Sequence, residues 1–189
     1  MSSDIFSRQL DFSKFDLIYA GAQKNMGPAG VTLVVIKEEL LGKTGRTIPS
    51  ILDYEKHIKA ESMYNTPAVF AVYTSLLTMQ WLKNLGGIPA IEKINNAKAE
   101  LLYAEIDRNP LFKGASVVED RSNMNATFLL NDESHATIFD KMWKDAGISG
   151  LPGHRSVGGY RASMYNALPL ESVQVLVDVM QEFEKTIVG

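Results

Sequence analysis

Lys24 stands in the middle of GAQKNMGPAG, residues 21–30, between two short apolar runs. A lone lysine in a loop is ordinarily a solvated charge. Here Gly21, Ala22, Gly27 and Gly30 leave the backbone uncrowded on both sides, so a bulky flat ligand has room to approach the amine. An amine that loses its proton, by desolvation or beside another cation, forms a Schiff base with an aldehyde. On residue chemistry alone both readings stand.

A second constellation is His154, Arg155 and Arg161, set among Gly150, Gly153, Gly158 and Gly159. Arginine offers a rigid fork that suits a carboxylate or phosphate, and histidine adds one charge-assisted bond. Anion recognition is one reading, and a solvated basic loop beside a sheet edge is the other. Asn65 and Thr66 form a third candidate at a helix start, where exposed N–H groups and the positive dipole end attract anions. Capping alone accounts for Thr66, with Pro67 in the first turn where its missing N–H costs nothing.

Other chemistries fall away. The chain has no cysteine, which removes disulfides, thiolate nucleophiles and Cys-based metal sites. His57, His135 and His154 lie far apart and lack metal-ligand spacing, so no metal site is expected. Gly-x-Gly-x-x-Gly, the P-loop and the nucleophile elbow are all absent. Met124, Met142, Trp143 and Met180 read as core.

The elements that must position these residues suggest an α/β protein. Residues 15–20 (FDLIYA) and 31–36 (VTLVVI) are strand candidates, the second apolar with little alternation, as in a sheet covered on both faces. Residues 40–65 read as irregular. A largely apolar, and so substantially buried, helix is expected from Thr66 to about Lys83, stopped near Gly86 and Gly87. A second helix from Pro89 should present Ile91, Ile94, Leu101, Leu102 and Ile106.

After Pro110 the spacing predicts strands at 115–118, 126–130 and 160–164. A helix capped by Ser134 should show Ile138, Met142, Trp143 and Ala146. A last helix over 171–186 should bury Val173, Leu176, Val177, Met180 and Phe183. Together these make a small sheet with helices on one face. Two parallel strands cannot form the interior of a covered α/β sheet by themselves, so the first sixty residues read as a piece of a larger domain or as a segment completed by another chain. The expected division is residues 1–86, a partial large domain with its connecting helix, and 87–189, a small domain.

Lys and Arg total 19 against 22 Asp and Glu, a formal charge of -3 that exerts no long-range pull on nucleic acid or anionic membrane. The opening MSSDIFSRQL lacks the pattern of a secretory signal, and no apolar run reaches the roughly 18 residues of a membrane span. A soluble, cytoplasmic chain with neither nucleic-acid nor membrane partners is the expectation.

The segment YAGAQKNMGPAGVTLVVIKEELLG (residues 19–42) resembles the lysine region of the phosphoserine aminotransferases, in the class-V pyridoxal-phosphate-dependent aminotransferase family. SILDY (50–54), SMYNTP (62–67), GHRSVGGYRASMYNALPLE (153–171) and the closing helix resemble the same family in the same order. The resemblance covers essentially the whole chain, as its C-terminal portion. It implies a remnant of the large fold-type I domain followed by the small C-terminal α/β domain, in a homodimer.

Lys24 would hold pyridoxal 5'-phosphate covalently, with Gln23 against its ring and Asn65 and Thr66 reaching the phosphate of the partner subunit's cofactor. His154 and Arg155 would bind the substrate phosphate and Arg161 its carboxylate. The implied reaction is amino transfer between O-phospho-L-serine and 2-oxoglutarate, yielding 3-phosphooxypyruvate and L-glutamate, in serine and pyridoxine biosynthesis. The resemblance also places an Asp for the pyridine nitrogen two residues ahead of Ser2, outside the sequence. That departure predicts a chain with little or no turnover alone. The alternative is a catalytically silent piece that only folds and self-associates.

Overall fold

The computed structural model describes residues 1–189 and gathers them in two units, Met1–Ile88 and Pro89–Gly189. In the first, strands β1 (Leu17–Gly21) and β2 (Thr32–Ile36) pair antiparallel rather than parallel as expected, because the ten-residue turn between them returns the chain directly, from Leu17 opposite Ile36 to Gly21 opposite Thr32. Each has only the other as a ladder neighbour. Ile18 and Ala20 turn inward to meet Ile5, Leu10, Ala22 and Met26. On the opposite side Tyr19 is 63% exposed.

Residues 40–65, expected to be irregular, contain a short helix, α1 (Tyr54–Lys59). Asp53 starts it by accepting a hydrogen bond from the Glu55 N–H. Helix α2 (Val69–Asn84) departs from expectation twice. It begins at Val69 with Ala68 in the cap position and no side-chain capping bond, so Thr66 is not its cap. Moreover, only Ala71 and Leu82 of α2 are buried, while Phe70 is 78% exposed and Tyr73, Leu76, Leu77 and Trp81 are all open. An apolar helix becomes buried only where something covers it, and within this unit little does.

Helix α3 (Gly87–Arg108) follows, and from Pro89 onward it belongs to the second unit. Its buried side is Ile91, Asn95, Lys98, Leu102 and Glu105, with Ala99 and Ile106 beside them; the expected Ile94 and Leu101 are only half-buried. Strands β3 (Phe112–Gly114), β4 (Asn125–Leu130) and β5 (Tyr160–Ser163) form an antiparallel sheet in the order β3-β4-β5. The strand expected at 115–118 lies earlier. Ala115 makes one further bond to Thr127, and the chain then turns through a 3-10 segment at Val118–Asp120.

Helix α4 (Ala136–Asp145) buries Phe139 and Trp143, leaving Ile138 exposed. The capping side chain ahead of it is Asp132, which accepts from the Ser134 N–H. Helix α5 (Leu170–Val188) buries Val173, Leu176, Val177, Met180 and Phe183, the five positions its periodicity marks. These helices pack on one face of the sheet, where Ala126, Phe128, Leu130, Tyr160 and Ala162 point. Phe112, Phe139 and Phe183 meet edge-on or tilted at 5.1–5.8 Å between ring centres. No helix is long and apolar enough to cross a membrane.

Candidate active site

The turn joining β1 to β2 presents Lys24. The ladder closes with the Ala22 N–H donating to Val31 O, and the Met26 and Gly27 N–H groups then donate back to Ala22 O, winding residues 22–27 into one helical turn. That winding turns Ala22, Asn25 and Met26 inward and leaves Gln23 and Lys24 exposed side by side. Asn25 braces the turn from beneath, its Nδ2 donating to Ser3 O at 2.8 Å and Ile5 O at 3.0 Å. Ser2 Oγ accepts from the Gly21 N–H.

One glycine is required here. A Cβ on Gly21 would meet only the flexible end of the Gln23 side chain, which can swing aside. Gly27 has φ +146, and a Cβ there would sit 2.9 Å from Ser75 Oγ on α2. The resulting platform is a primary amine beside an amide on a rigid, glycine-flanked turn. Such a pair suits an aldehyde on a flat ring, the amine for the carbonyl carbon and the amide for the ring.

Asn65 and Thr66, in the same unit, are both exposed in the link between α1 and α2. Asn65 Nδ2 donates only locally, to Thr66 O at 3.2 Å. With Ala68 in the cap position, capping no longer accounts for Thr66. The positive end of α2 is left without a side-chain acceptor, a setting that favours an anion.

In the second unit, His154, Arg155 and Arg161 share one hairpin-like excursion. Gly153 N–H donates to Gly159 O at 2.8 Å, closing a loop whose tip carries His154 and Arg155, both exposed. The Ser156 N–H donates to His154 Nδ1 and its hydroxyl lies 2.8 Å from the same nitrogen. An Nδ1 that accepts from the backbone leaves the ring proton on Nε2 in the neutral imidazole. Ser156 was not singled out by sequence, because a serine near a histidine is unremarkable until the loop brings them into register.

Arg161 lies on β5, opposite Thr127 on β4, and its own N–H donates to Leu151 O. Its side chain is half-buried, with Nε enclosed and without a hydrogen-bond partner. Arg8 and Arg108 are each paired with carboxylates. Arg121 also has an unbonded Nε, but both its terminal nitrogens hold Asp107. Arg161 pairs with no carboxylate of the chain, and a guanidinium left without an ion-pair partner is a setting for an external anion. No group of three or more His, Asp or Glu has metal-binding proximity.

Residues 1–176 match the family model for class-V aminotransferases, and the chain belongs to that family. Within it, the strong similarity is to phosphoserine aminotransferases. That of Flavobacterium psychrophilum is 82% identical over 187 residues, covering 99% of this chain and 52% of the relative. The phosphoserine aminotransferase structure from Bacillus circulans subsp. alkalophilus superimposes with a TM-score of 0.94 at 43% identity, covering 98% of this chain and 52% of that one. The pyridoxal-phosphate-bound enzyme of Trichomonas vaginalis gives 0.87 at 36% identity, covering 96% and 52%. The fold is thus part of the fold-type I transferase architecture together with a small α/β subdomain, and the chain spans about half the length of the relatives it matches.

Proposed function

We propose that this chain supplies the lysine-bearing part of a pyridoxal-phosphate-dependent aminotransferase acting on a phosphorylated amino acid. The reaction moves an amino group from O-phospho-L-serine to 2-oxoglutarate, giving 3-phosphooxypyruvate and L-glutamate, and runs in either direction. The observation that carries the substrate assignment is the half-buried Arg161 guanidinium, which pairs with no carboxylate of the chain, close in sequence to the exposed His154 and Arg155. One guanidinium for a carboxylate and a separate imidazole–guanidinium pair for a phosphate match a substrate with an anion at each end.

Pyridoxal phosphate, when bound, supplies an aldehyde for the amine and a ring that takes up electron density from the substrate Cα. Lys24 would hold the aldehyde carbon until the substrate amine displaced it, and the freed amine would carry a proton between the substrate Cα and that carbon. Gln23 would lie along the ring. Asn65 and Thr66 serve the cofactor phosphate of the partner subunit in a homodimer. His154 and Arg155 hold the substrate phosphate, while Arg161 orients the carboxylate.

Adding pyridoxal phosphate to the chain and to its Lys24→Ala variant tests the reading. A visible absorbance band that borohydride bleaches while fixing a covalent adduct on Lys24, with band and adduct both lost in the variant, is the expected result. Equal labelling of both proteins would remove Lys24 from the role. A second reading, a silent chain that folds and self-associates, draws on the apolar surface that α2 leaves open. Under it, Lys24 is labelled no more than other surface lysines.

A further inference from the structure

Lys98, on α3, is fully buried, and no step described above uses it. Its Nζ donates to three backbone carbonyls, Met164 O at 3.0 Å, Tyr165 O at 2.9 Å and Leu168 O at 3.1 Å. An ammonium has three N–H donors, and each finds one acceptor. One helical turn earlier, Asn95 Nδ2 donates to Asn166 Oδ1 at 2.9 Å, inside the same 164–168 turn. Two side chains of α3 therefore grip the segment that ends β5 and leads into α5.

A buried charge is an expensive way to fill space, since desolvating an ammonium costs several kcal/mol. An apolar residue of similar length would avoid that penalty but would leave three converging carbonyls unbonded. The turn's shape and the lysine thus require one another. What that shape controls is β5, which has a strand on only one side, β4, and on the other only the Leu151–Pro152 stretch. Arg161 lies three residues before the first carbonyl held by Lys98. The Tyr165 hydroxyl, in the same turn, donates to Asn125 Oδ1, and Asn125 is the β4 partner of Ser163.

We propose that Lys98 is the positioning residue for Arg161, fixing the end of β5, and with it the carboxylate-binding guanidinium, through the carbonyls of residues 164, 165 and 168. The inference rests on the reading of Arg161 given above. It predicts that removing the ammonium disturbs carboxylate binding and spares phosphate binding, because His154 and Arg155 sit on the loop before β5.

The test follows the Arg161 Nε–Hε NMR resonance during titration with 2-oxoglutarate, and the His154 ring resonances during a parallel titration with inorganic phosphate. In Lys98→Met the affinity for 2-oxoglutarate should fall about tenfold or more, the scale of a misaligned charge-assisted hydrogen bond. Phosphate affinity should stay unchanged. The chain has no cysteine, so Lys98→Cys, aminoethylated while unfolded and then refolded, restores an ammonium at the same reach and should recover 2-oxoglutarate binding.

Unchanged affinities in Lys98→Met overturn the proposal. So does a parallel loss of both ligands with collapsed amide protection across β4 and α5, or a failure of the aminoethylated chain to recover. If Arg161→Ala binds 2-oxoglutarate as the parent does, the carboxylate reading of Arg161 fails first and takes this inference with it.

Discussion

At the scale of single residues, the site divides into groups that hold ligands and groups that hold those groups. Lys24 and Gln23 face outward only because Asn25, between them and Met26, faces inward and spends both amide hydrogens on Ser3 and Ile5 carbonyls. Asn25→Ala should therefore lower stability by about 1–3 kcal/mol, the range for orphaning buried acceptors, measured by chemical denaturation. It should also slow covalent labelling of Lys24 by pyridoxal phosphate, measured as a second-order rate; labelling at the parental rate would detach the brace from the chemistry. Arg161→Lys keeps the charge and discards the planar fork, so 2-oxoglutarate affinity should drop by about 10- to 100-fold, read by calorimetry. A drop no larger than that of a surface Arg46→Lys control would mean that charge alone matters there.

At the scale of elements, what could be read in advance followed the purity of each hydrophobic pattern. Helix α5 carries a clean 3.6-residue stripe, and its five buried positions are the five the stripe marks. The lysine turn was legible for a different reason, since glycines on both sides of a lysine leave few alternatives to an open loop. Helix α3 was misread by a fraction of a turn because half of its inward seam is polar: Asn95, Lys98 and Glu105 look like surface residues until their partners are known. Burial pushes the Glu105 carboxyl up, but hydrogen bonds from Arg108, Asn109 and Gln181 together outweigh it and hold the group below its usual range.

Lys98 is the opposite case, and burial brings its ammonium down from 10.5 to about 8. Between those values the unfolded chain keeps the proton that the folded chain sheds, so folding is favoured increasingly as pH rises. Relative to Lys98→Met, in which this group is absent, the parent should gain up to about 3 kcal/mol of unfolding free energy from pH 8 to 10.5. Denaturant titrations of the two proteins across that window provide the difference. A difference that shrinks with pH would show that the three carbonyls bind the ammonium more strongly than burial penalises it.

At the scale of the whole molecule, the two units differ in how well each can bury its own apolar surface. The Pro89–Gly189 unit closes a sheet, three helices and four phenylalanines around one core. At about a hundred residues, that is enough for an independent domain. The Met1–Ile88 unit has only Ile5, Leu10, Ile18, Ala20, Ala22 and Met26 as its buried cluster, beneath a two-stranded ladder that is marginal on its own. Its open side chains include Phe70, Tyr73, Leu76, Leu77 and Trp81 from one helix, and apolar surface of that kind marks an interaction face. Expressed separately, residues 89–189 should unfold in a single cooperative transition with dispersed amide resonances, while residues 1–88 should lack both. The intact chain should then show two stages of denaturation, with the turn around Lys24 becoming cleavable and its unreduced imine with pyridoxal phosphate lost in the earlier one. A single transition for the intact chain, coincident when followed at Trp81 and at Trp143, would mean that the lysine platform draws its stability from the same cooperative unit as Arg161.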